Sequence, residues 1–363
     1  MWIKSYQFTY QRLFRPLIFG SMDAQTAHER ILSFLARADQ HDWVQSLAQA
    51  LYRRMASFES THVGGVTLDF PIILAAGFVK GQGFATEDEA IQAVERGENI
   101  IPGWRTMPNI VGPVEFGSFT RYPRLGNTGQ VIWRDAATRS TQNRVGLKNP
   151  GARAASLFLA KHPPKKPFGI NLAVSPQVTD PDQEEAELVE SLQLFLEAGV
   201  LPDWFTLNLS CPNTEDDPRG HQTEEKARRL CRAMVAQLGE IPLWVKISPC
   251  LSTEQYAKLI GAFAAEGVRA VIATNTLPQP TPTDAEVTGG VGGGRLHMAA
   301  LEATRHLMEA RREQGYPVDV IGCGGVMDAK SYQDFRNLGV QAVQYWSAFV
   351  YQGLWAYAVI LRK

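Results

Sequence analysis

The chain has 363 residues, enough for two or three domains or for one barrel of about 250 residues with extensions. It carries 36 Lys and Arg against 37 Asp and Glu, which excludes a globally basic nucleic-acid-binding protein, and we expect no nucleic-acid partner. Hydrophobic residues make up 45% of the chain, and no apolar run reaches the roughly 18 residues that a spanning helix needs.

The first 22 residues combine basic and aromatic side chains with no acid. Lys4, Arg12 and Arg15 alternate with aromatics such as Trp2, and Pro16 is expected to interrupt any long helix. No aliphatic core or small-residue cleavage site of a signal peptide is present. This composition is typical of a segment that lies in a bilayer interface.

Two short amphipathic helices are predicted next. After Asp23, a candidate helix cap, four residues share one face at i, i+3, i+4 and i+7: His28, Ile31, Leu32 and Leu35. A second apolar face runs from Val44 to Met55. These faces either pack on the body of the protein or lie on a membrane, and the preceding leader favours the membrane. We expect a membrane-associating helical extension over residues 1–60 and a barrel over residues 61–363.

Short apolar runs then alternate with helical stretches along the rest of the chain. The runs are Ile72–Ala76, Ile110–Phe116, Phe168–Ala173, Trp204–Leu209, Leu243–Ile247, Ala270–Ala273, Val318–Gly322 and Ala342–Trp346. Eight such runs predict an α/β fold, a closed (β/α)8 TIM barrel. An open doubly wound sheet is the alternative, but no G-x-G-x-x-G turn follows the first run. Residues 278–294, rich in Pro, Thr and Gly, predict a long functional loop.

In such barrels, chemistry takes place where strands end. Asparagine and lysine dominate these positions, and carboxylates are almost missing from them. Asparagine offers both a donor and an acceptor to a heterocycle, and a lysine stabilises negative charge on a reduced cofactor. Lys246 stands inside an apolar run, where an unpaired charge is costly. Gly322–Gly325 and Ser347 suit a phosphate, so a flat, phosphate-bearing cofactor is predicted, and flavin mononucleotide (FMN) fits best.

The four cysteines give no metal or disulfide pattern. Cys211, Cys231, Cys250 and Cys323 form no C-x-x-C pair, and no His/Cys cluster has zinc-finger spacing. We therefore expect no metal site and a reducing cytoplasm as the protein's environment.

A set of motifs, in order along nearly the whole chain, resembles the dihydroorotate dehydrogenase family. The motifs are Ala75-Ala76-Gly77-x-x-Lys80, Glu115-Phe116-Gly117-Ser118, Asn143-Arg144-Val145-Gly146, Gly169-Ile170-Asn171, Asn208-Leu209-Ser210-Cys211-Pro212-Asn213, Val245-Lys246, Ala273-Thr274-Asn275-Thr276, Gly289-Gly290 and Gly322-Cys323-Gly324-Gly325. The Asn-x-Ser-Cys-Pro-Asn stretch is the most specific of them.

The resemblance implies an FMN-bearing barrel that oxidises (S)-dihydroorotate to orotate in pyrimidine synthesis. Cys211 resembles the catalytic base, which takes the C5 proton while hydride leaves C6 for the flavin. The residues that resemble substrate ligands are Lys80, Asn143, Gly146, Leu147, Asn208, Asn213, Asn275 and Thr276. Those that resemble FMN ligands are Ala76, Gly77, Lys80, Ser118, Asn171, Asn208, Lys246, Thr274, Gly293, Gly324, Trp346 and Ser347.

Two subclasses of the family are represented in this sequence. The amino-terminal helices, His28 and Arg134 are similar to the membrane-associated class, in which they line a quinone tunnel. That class usually has serine in place of Cys211, phenylalanine in place of Leu147 and tyrosine in place of Trp346, and Cys211 and Leu147 are similar to the soluble class. We give the leader more weight and expect quinone as the acceptor and a peripheral location on the cytoplasmic side of the inner membrane.

Three alternatives stay open at this point. The barrel acts on another dihydropyrimidine or heterocycle, as dihydropyrimidine dehydrogenases do with a similar Asn-Leu-Ser-Cys-Pro motif. Alternatively it uses a soluble electron acceptor, or the protein binds flavin at a membrane surface without turnover. Reduction of the flavin by a substrate separates the last alternative from the enzymes.

Overall fold

The computed structural model describes residues 2–55, 58–209 and 223–362. Its strands are β1 (Thr61–Val63), β2 (Val66–Leu68), β3 (Ile72–Leu74), β4 (Val114–Phe119), β5 (Ile132–Asp135), β6 (Ser140–Asn143), β7 (Phe168–Ala173), β8 (Trp204–Asn208), β9 (Leu243–Ile247), β10 (Ala270–Ala273), β11 (Leu277–Pro280), β12 (Thr288–Gly293), β13 (Asp319–Cys323) and β14 (Ala342–Tyr345). Its α-helices are α1 (Trp2–Thr9), α2 (Arg15–Ser21), α3 (Ala24–Ala38), α4 (Asp42–Met55), α5 (Glu87–Glu95), α6 (Thr106–Val111), α7 (Ala152–Lys161), α8 (Pro181–Glu197), α9 (Glu224–Leu238), α10 (Thr253–Ala265), α11 (His297–Gln314), α12 (Ala329–Asn337), α13 (Ser347–Gln352) and α14 (Ala356–Ile360).

Eight parallel strands close into a barrel in the order β10-β13-β14-β3-β4-β7-β8-β9. The predicted TIM barrel is therefore confirmed. The predicted start of the second barrel strand was wrong, because Ile110 and Val111 belong to α6. Gly112, at φ +83°, ends that helix, and the strand begins only at Val114.

The amino-terminal end of the barrel is filled and closed. Trp204 and Trp244 stack inside the lumen with ring centroids 4.4 Å apart. Below them lies the hairpin of β1 and β2, whose Gly64 accepts a 2.9 Å hydrogen bond from Trp244 Nε1 and donates one of 2.8 Å to Asp319. In the described part of the chain, the cleft lies at the other end of the lumen, toward the carboxyl ends of the strands.

A four-stranded antiparallel sheet, in the order β11-β12-β6-β5, is separate from the barrel. The predicted loop over residues 278–294 was wrong, since that segment supplies most of β11 and all of β12. β12 pairs with β6, and the side-chain amide of Gln142 donates to the carbonyls of Gln279 (2.9 Å) and Pro280 (3.0 Å). Strands of this kind are half-exposed, so their polar composition does not distinguish them from a loop.

The predicted amphipathic helices correspond to α3 and α4, but the residues before them are helical as well. α1 and α2 are joined by a π-helical turn over Tyr10–Phe14, in which the Arg15 N–H bonds to the Tyr10 carbonyl. Pro16 lies in the first turn of α2, so the regular α-helix is interrupted just before it, as expected, although the chain stays helical through the wider turn. The wider turn accommodates a residue that has no N–H to donate.

The amino-terminal helices are attached to the barrel by specific contacts. The carboxylate of Asp39, just after α3, accepts from the backbone N–H groups of Gly103 (2.7 Å) and Thr106 (2.9 Å) and from the Asn99 side chain (2.9 Å). Leu35 of α3 is fully buried. Within the described ranges, no helix is both long enough and apolar enough to cross a bilayer.

Candidate active site

A cleft of about 1220 Å³, its open mouth included, lies at the carboxyl ends of the barrel strands. Small-molecule sites are usually concave, with a few convergent polar groups. Most of the predicted ligands line this one cleft: His28, Ala76, Gly77, Lys80, Ser118, Asn143, Leu147, Asn171, Asn208, Lys246, Thr274, Asn275, Thr276, Gly293, Gly324, Trp346 and Ser347.

Four predicted residues are not among them. Cys211 and Asn213 lie outside the described residues. Gly146 is set back from the wall, between Val145 and Leu147. Arg134 caps the end of α2: its guanidinium donates to the carbonyls of Phe19 (3.0 Å) and Met22 and lies 4.1 Å from the centre of the Phe19 ring. The roles predicted for these four stay predictions.

Lys80 is positioned by the loop that follows β3. The Gly77 N–H donates to the Gly117 carbonyl (2.7 Å), and the Gly117 N–H donates to the Val79 carbonyl (2.9 Å). Gly117 has φ +105°, and a Cβ there would lie 2.5 Å from the Asn171 carbonyl oxygen. Only glycine fits at this position, which explains the glycine of the Glu-Phe-Gly-Ser motif.

A row of amides crosses the cleft from β10 to β4. Asn275 Nδ2 donates to Asn208 Oδ1 (3.2 Å), and Asn208 Nδ2 donates to Ser118 Oγ (3.1 Å). The Thr276 N–H donates to Asn275 Oδ1 (2.9 Å), while the buried Thr276 Oγ1 has no partner among the described residues. The amides thus have defined orientations, and the hydroxyl is available to a polar ligand.

The floor of the cleft carries a buried cation. Lys246, only 6% exposed, donates from Nζ to Gln344 Oε1 (3.1 Å). Beside it, Asn171 donates from Nδ2 to Glu115 (2.8 Å) and has no partner for its buried Oδ1 among the described residues. Burial raises the pKa of the neighbouring Cys323, which is therefore a neutral thiol.

The opposite end of the cleft is rich in glycine. A Cβ on Gly325 would lie 2.8 Å from the Gly293 carbonyl oxygen, and a Cβ on Gly293 would clash with the Arg139 carbonyl oxygen, so both positions require glycine. The Thr141 and Ser347 hydroxyls lie 2.7 Å apart at the same end. Backbone N–H groups and hydroxyls of this kind suit a phosphate.

One wall of the cleft comes from the amino-terminal helices. The His28 ring of α3 lies 5.9 Å from the Phe78 ring and 6.4 Å from the Trp346 ring, centroid to centroid. Burial, together with the nearby Lys80 and Lys148 ammonium groups, lowers the pKa of His28 to about 4. His28 is therefore neutral at pH 7, and the wall is apolar and aromatic.

Sequence reasoning missed several lining residues, among them Thr141 and Gln344. Thr141 lies in β6, outside the barrel strands, so counting strand ends does not find it. Gln344 lies within β14, one residue before its end. The sequence does carry a signal for Gln344, a polar residue inside an apolar run. The same kind of signal indicated Lys246.

Comparison with known proteins assigns the chain to a family. The family model for dihydroorotate dehydrogenase matches residues 59–363. Dihydroorotate dehydrogenase (quinone) of Leifsonia xyli is 32% identical over 360 residues, which cover 96% of this chain and 96% of the relative. The same enzyme of Gloeobacter violaceus is 29% identical over 354 residues, which cover 97% of this chain and 93% of the relative.

The crystal structure of DHODH from Eimeria tenella in complex with ferulenol has a TM-score of 0.71 at 20% identity and covers 95% of this chain and 93% of that one. At that identity, the likeness shows the fold alone. The barrel and the matching family model define an oxidoreductase. The chain belongs to the dihydroorotate dehydrogenase family, in its quinone-dependent class.

Proposed function

We propose that the protein oxidises (S)-dihydroorotate to orotate with FMN as cofactor and quinone as electron acceptor, as a step of pyrimidine synthesis. The observation that carries the proposal is the convergence of four features in one cleft: the amide row, two lysines, the glycine-rich end and the aromatic wall. The similarity to relatives that are dihydroorotate dehydrogenases (quinone) supports the same reaction.

The cleft fits FMN at both ends. Asn171 Oδ1, which has no partner among the described residues, is an acceptor for a ring N–H, and the Lys246 ammonium suits a ring that gains negative charge on reduction. Gly293, Gly324 and Ser347 offer close backbone approach and a hydroxyl to the phosphate. When bound, FMN supplies a two-electron acceptor that a protein side chain does not provide.

We propose the substrate ligands from further residues that line the same cleft. The Lys80 ammonium pairs with the carboxylate of the substrate, and the amides of Asn143, Asn208 and Asn275 hold its ring. Cys211 takes the proton from C5. A neutral thiol is a weak base, so Cys211 acts as a thiolate or through a water that relays the proton.

The amino-terminal helices are proposed to deliver quinone from a membrane. Residues 1–60 form the membrane-associating extension of the barrel of residues 61–363, on the cytoplasmic side of the inner membrane. Eight of the thirteen large hydrophobic side chains exposed in the described residues lie within the first 47 residues, including Trp2, Phe8 and Leu17, each about two-thirds exposed. Such a concentration of apolar surface is uncommon in water and typical of an interfacial helix.

An anaerobic titration of the purified full-length protein tests the chemistry. We expect one FMN per chain, complete bleaching of the flavin by dihydroorotate and little bleaching by dihydrouracil, which lacks the carboxylate. Equal bleaching by both compounds would favour another dihydropyrimidine as the substrate. A yellow protein that neither compound bleaches would be a flavin carrier without turnover, and a colourless protein that ignores added FMN would refute the proposal.

Liposome co-sedimentation and quinone turnover test the extension. The triple variant Phe8→Ser, Leu13→Ser, Leu17→Ser removes exposed apolar side chains from the leader. It should lose liposome binding and most turnover with a membrane-embedded quinone, while dihydroorotate still bleaches the flavin. The matched control, Tyr122→Ser with Leu125→Ser, removes exposed apolar side chains from the barrel and should leave both unchanged. Equal liposome binding by the two variants would contradict a membrane role for the leader.

A further inference from the structure

A buried carboxylate underlies the cleft and belongs to none of the groups described so far as ligands. Glu115 lies on β4, is completely buried and does not line the cleft. Its carboxylate bonds to the indole of Trp204 in the lumen and to the Asn171 side chain at the floor. It therefore lies between the tryptophan pair and the cleft. A buried charge is costly unless it is fully hydrogen-bonded, so this position needs an explanation.

Four donors surround the carboxylate. Oε1 accepts from Asn171 Nδ2 (2.8 Å), and Oε2 accepts from Trp204 Nε1 (3.1 Å), Thr206 Oγ1 (2.9 Å) and Gln344 Nε2 (2.9 Å). The indole and the two amide nitrogens can only donate. Both carboxylate oxygens are thus used as acceptors, as in an ionised glutamate.

This arrangement determines which hydrogen-bond donors and acceptors the floor of the cleft offers. Because Glu115 accepts, Asn171, a residue that lines the cleft, must turn its NH2 group toward Glu115, which leaves its buried Oδ1 without a partner among the described residues. Gln344 must likewise turn its NH2 toward Glu115, and its Oε1 is then free to accept from Lys246 Nζ (3.1 Å). One carboxylate therefore orients the acceptor on the floor and, through Gln344, holds the buried cation beside it.

We propose that Glu115 is a positioning residue for the cofactor: it fixes the donor and acceptor pattern of the cleft floor, and its charge balances Lys246. The inference rests on the proposed binding of FMN. Replacing the carboxylate by an amide keeps one oxygen, which can still accept from Trp204, Thr206 and Gln344, and puts an NH2 donor opposite Asn171 Nδ2, which needs an acceptor. Asn171 is then free to turn, and the floor gains one unit of positive charge relative to the native protein.

Glu115→Gln in the full-length protein tests this, with two readouts besides turnover. FMN added to the apoprotein should bind at least tenfold more weakly, because the floor no longer presents a fixed acceptor. The reduction equilibrium of bound FMN should shift at least tenfold toward the reduced form, about 30 mV for a two-electron couple, because a negative charge below it is gone. Thr206→Val is the matched control: it removes one donor from the same carboxylate but leaves the hydrogen bonds of Asn171 to Glu115 and of Lys246 to Gln344 in place. It should leave both quantities within threefold of the wild type.

If the Glu115→Gln protein has the same FMN affinity and the same potential as the Thr206→Val protein, Glu115 only stabilises the fold. That result would overturn the inference. If Glu115→Gln does not fold, Gln344→Met cuts the link to Lys246 and keeps the carboxylate; FMN binding should then weaken at least threefold, and wild-type affinity would overturn the inference. A wild-type protein that binds no FMN would overturn the proposed function together with this inference.

Discussion

The cleft floor and the amino-terminal helices differ in the kind of side chain that they bury or expose. In the barrel, Glu115 and Lys246 are charged side chains that are almost completely buried, and Glu115 is surrounded by hydrogen-bond donors. In α1 and α2, by contrast, Trp2, Phe8 and Leu17 extend hydrocarbon into the solvent around the chain. The barrel removes charge from water and the leader exposes hydrocarbon to water, and both arrangements cost free energy.

Buried charge and exposed hydrocarbon are the two departures from ordinary burial that carry functional information. In the barrel the departure is local, and both charges have hydrogen-bond partners, which fits a site for a polar cofactor. In the leader it is spread over a surface that is exposed in the described part of the chain, which fits a lipid environment. If this comparison is right, substitutions in the barrel should affect chemistry, and substitutions in the helices should affect attachment and access.

The largest effect is expected from Cys211→Ala. Loss of a general base slows a reaction by about 100- to 10,000-fold. Stopped-flow reduction of the flavin by dihydroorotate should slow by that factor, with the visible flavin spectrum unchanged. Cys211→Ser should keep part of the activity, since a hydroxyl can relay a proton as well. Wild-type reduction by the alanine variant would show that Cys211 is a packing residue.

Asp39→Ala should have the next largest effect, on stability. It leaves the buried N–H groups of Gly103 and Thr106 and the Asn99 amide without their charged acceptor. We expect a loss of about 3–5 kcal/mol in the free energy of unfolding, measured with urea.

The control for this variant is Asp42→Ala. Asp42 pairs with Arg105 at 2.6 Å, but its side chain is 89% exposed, so its loss should cost about 0.5 kcal/mol. Equal losses in the two variants would mean that the extension is not fixed to the barrel through Asp39 and that it behaves as an independent unit.

The sequence predicted what depends on local pattern. Apolar runs alternating with helices specify the barrel, and strand-end residues such as Asn208 and Asn275 converge because parallel strands end on the same side. It did not predict β11 and β12, because pairing with β6 is a tertiary contact and half-exposed strands resemble loops in composition. Glu115 was visible only as part of a motif, since its role depends on donors from three other strands.

A smaller effect is expected from the titration of His28. Its pKa is about 4 in the folded protein and about 6.5 in an unfolded chain. As the pH falls from 7 to 5, the unfolded chain binds a proton that the native protein does not, so stability falls with acid. The His28 contribution should be about 2 kcal/mol over that interval.

Urea unfolding of the wild type and His28→Gln at pH 7 and pH 5 isolates this term, because other acid effects cancel in the difference. The variant should lose about 2 kcal/mol less than the wild type on acidification. An equal loss would mean that His28 is solvated in the folded protein, and the wall between helix α3 and the cleft would then be open to water.

The smallest effect concerns the contact between α1 and the carboxyl-terminal segment. The Tyr6 hydroxyl donates to the Gln352 carbonyl (2.8 Å) and accepts from the Trp355 N–H (3.3 Å). Tyr6→Phe should cost about 1 kcal/mol and speed hydrogen exchange in α1, whereas Tyr122→Phe, on an exposed ring, should change neither. If Tyr6→Phe also changes neither, α1 is not held on the barrel in water. Its apolar face would then be free to turn toward the protein, and the exposed hydrocarbon of the leader would no longer distinguish it from the barrel.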